Sequence, residues 1–520
     1  MKLTKIAPFF LAALLSAALF TSCKETTLTG DNALTSIPDD ATTITSIDVE
    51  RLMEKADFEQ VRQMEFYQDM LAEVERKDPT LAKVLADPAT SGVDLSKRAY
   101  LSTFLNTDNP EENFTALVVN LSDQAAFEQL VTQAAKGATV ENGDGFQYLQ
   151  PERKMIVAWD GEKAVIGGTA SYMNVREQAA RIFNTTEDRS VAKSADLQKA
   201  LAERHDLTNW ISSNGLANNP QAQFAMGMVQ IDPEALKDNY IHSYVDFETG
   251  EIAGKSTYFL QKALTKDLDK LFNDQAKTDF YDYVPGKDLL FIFTNALNIK
   301  GVDEVLSARP QSRGFAEFAL KEYGLTIEDV TATFGGDLMV AGYYTEGASR
   351  GSGLFATNIL DREKLNVFLD LFQEYKVIEP AGENLYNVTK LGGALVGNAF
   401  TVSSGDGFAK MLVTDQLLFI SGDEQLLATI QQGGFPKAER INKDLQQMMS
   451  SNIFAGYFGL QNLQKVEDDL STFQIEDVKV STNRQEADLQ VRMLDQKTNA
   501  LKALFEAMNQ EHLRKHAEVN

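Results

Sequence analysis

The residues able to do chemistry are few, and their spacing decides how far each can be read. Four histidines are present, His205, His242, His512 and His516. The last two lie four apart, which on a helix puts two imidazoles on one face. No glutamate follows His512, as a helical metalloprotease motif requires, and the flanking Arg514 and Lys515 suit a solvated surface. His205 and His242 stand alone, in no serine or cysteine setting that suggests an activated nucleophile, so both read as fold residues. Gly250-Glu251-Ile252-Ala253-Gly254-Lys255-Ser256 has the ending of a phosphate-binding loop. That loop needs glycine five places before Gly254, where Thr249 stands, so a β-hairpin turn is the better reading. Asn142-Gly143-Asp144-Gly145 and Ser403-Ser404-Gly405-Asp406-Gly407 carry turn residues without the spaced acids of a calcium loop. Carboxylates are too numerous for one pair to stand out as acid and base. This reading assigns no catalytic, cofactor or metal residue. It leaves Cys23, the one cysteine in 520 residues, whose thiolate can accept an acyl-glyceryl group.

The elements in front of Cys23 suit that role. Lys2 and Lys5 form a basic start, and Ile6 to Phe20 is an apolar run broken by Pro8 and Ser16. A stretch of about fifteen residues is too short for a hydrocarbon layer of about 30 Å and reads as a signal peptide over 1–22. Thr21-Ser22-Cys23 resembles the lipobox of bacterial lipoproteins, where small residues precede an obligatory cysteine. An exported protein with a lone thiol has no disulfide partner to explain it, and acylation supplies the reason. Residues 23–36 are Thr-rich and aperiodic, as a flexible tether would be. The membrane is then a partner through lipid on Cys23, at the outer membrane, facing the periplasm or the cell surface. Lys24-Glu25 resembles the export signal of some surface lipoproteins.

The remainder, about 500 residues, exceeds what one core organises. Acidic residues number 75 against 49 basic ones, a net charge of −26, and removal of Lys2 and Lys5 makes the balance more negative still. Such a surface repels phosphate backbones and anionic headgroups, which excludes nucleic acid as a partner. A hydrophobic content of 43% with 31 phenylalanines excludes a disordered acidic tail.

Internal similarity sets the domain plan. Ile37-Pro38-Asp39-Asp40-Ala41 leads into Thr43 to Ile47, and Val284-Pro285-Gly286-Lys287-Asp288 leads into Leu289 to Phe293. Gly92 to Leu95 then matches Gly324 to Ile327, Tyr100 to Phe104 matches Asp337 to Val340, and Thr115 to Val119 matches Gly353 to Ala356, the last two each followed by a helical pattern. Met155 to Ala158, turned at Asp160-Gly161 into Ala164 to Gly167, matches Met411 to Val413 and Leu418 to Ser421. Ala253 to Leu260 before Leu268, Leu271 and Phe272 matches Ala487 to Met493 before Leu501, Leu504 and Phe505. Six matches in one order predict an α+β protein of two tandem homologous units, 37–276 and 284–510. Each is expected to be a mainly antiparallel sheet with helices packed on one face, joined near Lys277 to Tyr283, with a C-terminal tail over 511–520. Leu391 to Gly397 is a glycine-rich insertion of the second unit alone.

With the Ile37-Pro38-Asp39-Asp40-Ala41 opening, Ser46-Ile47-Asp48 and the lipobox ahead of them, the chain resembles a family of Bacteroidota lipoproteins known only as a domain of unknown function. The resemblance implies export, lipidation and this architecture, and no reaction. The leading expectation is a non-catalytic binding or scaffolding protein whose protein or polysaccharide partner is unknown. The alternatives are a hydrolase acting on envelope polymers or glycans and a carrier of apolar cargo. An enzyme predicts a polar cleft, a carrier an apolar cavity inside one unit, and a scaffold an exposed apolar patch.

Overall fold

The structure is a computed structural model describing residues 31–105, 113–135, 137–170, 173–214, 223, 232–276, 279–344, 352–389, 409–464 and 474–519. Cys23, Leu391 to Gly397 and Ser403 to Gly407 lie outside the described residues. These residues form two compact units. The first holds those through Gln261, with Gln474 and those from Met493 onward, and the second holds the rest from Lys262 to Arg492.

Unit 1 contains ten described strands: β1 (Thr43–Ile47), β2 (Ala99–Phe104), β3 (Phe114–Asn120), β4 (Glu141–Asn142), β5 (Gln147–Leu149), β6 (Met155–Trp159), β7 (Lys163–Thr169), β8 (Leu207–Ser212), β9 (Tyr240–Glu248) and β10 (Glu251–Phe259). They pair antiparallel in the order β4-β5-β6-β7-β3-β2-β1-β8-β9-β10. Unit 2 contains β11 (Leu289–Ala296), β12 (Phe334–Tyr343), β13 (Ser352–Ile359), β14 (Ile378–Gly382), β15 (Leu385–Val388), β16 (Lys410–Val413), β17 (Leu417–Ser421), β18 (Phe454–Gly459), β19 (Ile475–Thr482) and β20 (Glu486–Met493, its last residue grouped with unit 1). Its order is β14-β15-β16-β17-β13-β12-β11-β18-β19-β20, the same path ten strands on. The two opening prolines occupy equivalent bridges, Pro38 with Ser190 and Pro285 with Arg440. Beside them Val191 N–H donates to the Ile37 carbonyl, and Ile441 N–H to that of Val284.

The α+β class with antiparallel sheets is as expected, but helices cover both faces of each sheet. Along β3, Ala116 and Val118 join one apolar cluster while Leu117 and Val119 join another. In β16, Leu412 likewise faces away from Met411 and Val413. Adjacent strand residues point to opposite faces, so near-continuous apolar runs such as Ala116 to Val119 require cover on both sides. The first cluster of unit 1 is closed by Ile182 and Leu197, the second by Met53, Phe58, Phe127 and the C-terminal helix.

Several boundaries differ from the sequence reading: the helix Lys262–Leu271, expected in the unit 37–276, groups with the second unit, and residues 493–510, expected in the unit 284–510, group with the first. Residues 31–36 were assigned to the tether, yet Asn32–Thr35 is a helix with Ala33 and Leu34 in the core, capped by the Asp31 side chain. The Tyr100 hydroxyl (2.6 Å) and the Asn120 side-chain amide (2.9 Å) donate to that same Asp31 carboxylate, an anchor no local pattern reveals. Between 277 and 283, where a joint was expected, Phe280 and Tyr281 are buried in the core of unit 2. Residues 511–519 of the expected 511–520 tail belong instead to one helix, Ala500–Val519, packed within unit 1.

Candidate functional site

An apolar space lies in unit 1, beneath the helix Val49–Ala56, which the Asp48 side chain caps. Asp48 donates nothing to the apolar face; it fixes where the helix begins, and Val49, Leu52 and Ala56 then point to the sheet. The cavity is about 270 Å³, and all eleven lining residues are apolar. Ile47, Ala99 and Leu117 form its floor, Leu207 and Phe247 one wall, and Leu501 and Phe505 of the C-terminal helix another.

A charged clamp holds the cavity walls together. Asp206 is fully buried and follows directly in sequence on His205, just before Leu207 of the wall. Its carboxylate accepts from Arg51 Nε at 2.5 Å, Lys55 Nζ at 2.8 Å and the backbone N–H of Phe247 at 2.6 Å. Arg51 and Lys55 sit on the outer face of the helix whose inner face lines the cavity. The C-terminal helix is pinned by Asn499, whose side-chain amide donates to the Phe247 carbonyl at 2.7 Å, and by Lys502 against Asp57 at 2.7 Å. Phe505 stacks with Phe66 at 6.4 Å between ring centroids.

At the equivalent place in unit 2 the corresponding helices, Ile299–Ser307 and Lys262–Leu271, are in close contact. A Cβ added at Gly301 would meet the Lys270 carbonyl oxygen at 1.7 Å. Glycine there lets the two helix backbones touch. Unit 2 has a small polar pocket of about 130 Å³, lined by Asp444, Tyr457, Asp477, Lys479 and Arg492 among others. Asp477 is buried and paired with Arg492. Burial, then the Asp477 charge, raises the Tyr457 hydroxyl above its ordinary pKa, so it stays protonated. Phe315 and Phe318 on the helix Pro310–Lys321 are 79% and 76% exposed.

The residues singled out in the sequence fall as follows. Gly250 takes a left-handed φ of 77° at the turn between β9 and β10, and Lys255 pairs with Tyr244 inside the hairpin. Gly143 N–H donates to the Phe146 carbonyl in the turn between β4 and β5. His205 Nδ1 lies 2.6 Å from Asp246, and its ring stacks on Tyr244 at 3.7 Å. His242 Nε2 is buried without a hydrogen-bond partner among the described residues. The C-terminal helix brings His512 and His516 together, and the helix Glu65–Lys77 adds Asp69 beside them. Sequence reasoning missed Asp69 because 443 residues separate it from His512, and it missed the cavity because its lining residues look like any core.

Burial, and next the charge of His205, lowers the His242 pKa below the ordinary imidazole value, with Glu203 opposing. The unfolded chain then binds this proton more readily than the folded one. The resulting stability is complete above about pH 6.5 and is lost as pH falls through that value toward the lower folded pKa. We expect the parent to lose more stability than His242→Gln between pH 7 and pH 5. Urea midpoints at the two pH values measure the difference, and equal losses would refute the linkage.

Fold and site define an α+β protein of antiparallel sheets with an apolar cavity in its first unit. The chain belongs to the family described as "Domain of unknown function (DUF4836)", whose model matches residues 34–344. No curated protein matches it. Among solved structures, TP0453 in crystal form I is 12% identical over 45% of this chain and 80% of that one, with a TM-score of 0.27. Crystal form III is 11% identical over 46% and 87%, with a TM-score of 0.26. Similarity at that level carries no structural argument. No helix among the described residues is long and apolar enough to cross a membrane.

Proposed function

We propose that this chain is an exported lipoprotein, anchored at the outer membrane through lipid on Cys23, that binds an apolar ligand in unit 1 without transforming it. The lipobox and signal peptide support the anchor, and the resemblance of the opening motif to Bacteroidota lipoproteins supports the same reading. The observation that carries the binding reading is the cavity of about 270 Å³ with eleven apolar lining residues and no polar one. Acid–base or nucleophilic chemistry needs a polar group aimed at the ligand, and this wall offers contact alone. The strand order shared by the units supports descent from a duplicated ancestor.

Filling this space with apolar atoms gains on the order of 6 kcal/mol at about 24 cal/mol per Å³. That corresponds to a dissociation constant of tens of micromolar, suited to capture and release of an alkyl chain or a small ring system. An environment-sensitive fluorescent fatty acid should bind one per chain and be displaced by the unlabelled fatty acid. Ala56→Phe places a ring in the cavity and should weaken binding at least tenfold. Unchanged binding by a folded Ala56→Phe protein would sink this reading.

A further inference from the structure

We propose that Asp69, His512 and His516 form a surface site for a divalent first-row transition ion of the Zn2+ class, which clips the C-terminal helix to the helix Glu65–Lys77. The three side chains offer one ligand atom each, and those atoms all lie within 4.8 Å of one another. His512 Nε2 is 2.9 Å and His516 Nε2 3.8 Å from the same Asp69 oxygen, Oδ2. With bonds of about 2.0–2.1 Å and tetrahedral angles, two ligand atoms on zinc stand about 3.3 Å apart. The two observed separations fall on either side of that figure, so small side-chain rotations suffice.

The backbone supplies the preorganisation. His512 and His516 are one helical turn apart, and their ring centroids lie 4.3 Å from each other. The two helices are already docked at this end. Phe66 stacks on Phe505, and the Phe66 N–H donates to the Asn509 side-chain oxygen at 3.2 Å. Binding therefore need not first bring the helices together.

The electrostatics also suit a cation. Two neutral imidazoles and one carboxylate carry a single negative charge. The neighbouring cations Arg514 and Lys515 are held on Glu511, at 2.8 Å and 3.1 Å. The donor set selects the ion, because imidazole suits Zn2+, Ni2+ and Cu2+, whereas Mg2+ and Ca2+ prefer all-oxygen sites. Asp69 and His516 have side chains 51% and 55% exposed, so the ion can enter and water can complete its shell.

The test uses the tag-free full chain in a Cys23→Ala background, so that no thiol contributes, after treatment with a chelator. Isothermal titration should show one Zn2+ per chain, saturating below about 100 µM, and no response to Mg2+. His512→Ala, His516→Ala and Asp69→Asn should each weaken binding by roughly tenfold or more, as loss of even a supporting group does at metal sites. Zn2+ at a hundred times its dissociation constant should raise the melting temperature by about 5 °C. The double variant His512→Ala/His516→Ala should melt like the parent without metal and show no such rise. Co2+ should give a visible absorption band that disappears in that variant. No binding by the parent, or equal binding by a folded double variant, overturns the proposal.

Discussion

Cys23→Ala should move the protein from the membrane fraction into the aqueous phase almost completely. The expectation rests on the arithmetic of acyl chains. Each buried methylene contributes roughly 0.8 kcal/mol, so one chain holds marginally and reversibly, whereas the several chains of a lipoprotein hold firmly. Cys23 is the only cysteine, so no second thiol can take over. Because an unprocessed signal peptide could itself retain the variant, the decisive form also replaces residues 1–22 with an ordinary cleavable secretory signal. Detergent phase partitioning reads the outcome. A variant that still follows the detergent phase after cleavage would show that the anchor is elsewhere. The buried Asp31 limits how far the anchor reaches. Seven residues lie between Cys23 and Asp31, and the eight steps from one to the other, at 3.3–3.6 Å each, span at most about 29 Å. Unit 1 would therefore work close to the membrane surface, where apolar ligands are concentrated.

The second large effect is on stability. Asp206→Ala is expected to destabilise unit 1 by about 3 kcal/mol, at the lower end of what breaking a buried ion pair costs. The carboxylate is fully buried, while Arg51 and Lys55 keep side-chain exposures of 28% and 15%. Those cations can partly rehydrate once their partner is gone, which places the loss at the lower end. The Phe247 N–H, however, loses its acceptor inside the fold. Asp206→Asn should fall between parent and alanine, since an amide oxygen can still accept from Phe247. Asp39→Ala is the control. Its pairing with Lys193 is exposed on both sides, and such pairs contribute less than about 1 kcal/mol. Urea denaturation followed by Trp159 and Trp210 fluorescence, both in unit 1, reads the comparison. Equal midpoints for Asp206→Ala and Asp39→Ala would mean that the clamp does not hold the cavity wall.

Much of the architecture was legible because it is written in local pattern. Alternating and continuous apolar runs marked β1, β3, β6 and β7. The Asp160-Gly161 turn marked their hairpin, and Ile37-Pro38 and Val284-Pro285 marked the start of each series. The antiparallel α+β class follows from these, since short turns can join only antiparallel neighbours. The lone Cys23 behind an apolar run likewise needed no fold to be singled out.

What the tertiary structure alone decided depends on residues far apart in the chain. The C-terminal helix has no strong apolar stripe to announce its address, so its place in unit 1 was not readable; Phe66, the Phe247 carbonyl and Asp57 receive it. Leu52, Ala99, Phe247 and Phe505 each look like core, and only their failure to meet leaves a cavity. Packing is a sum over nonlocal contacts, and a missing contact leaves no mark on the sequence. Asp69 beside His512 and His516 arises in the same way. Periodicity fixes which side chains share a helix face, but only the docking of two helices decides which faces meet.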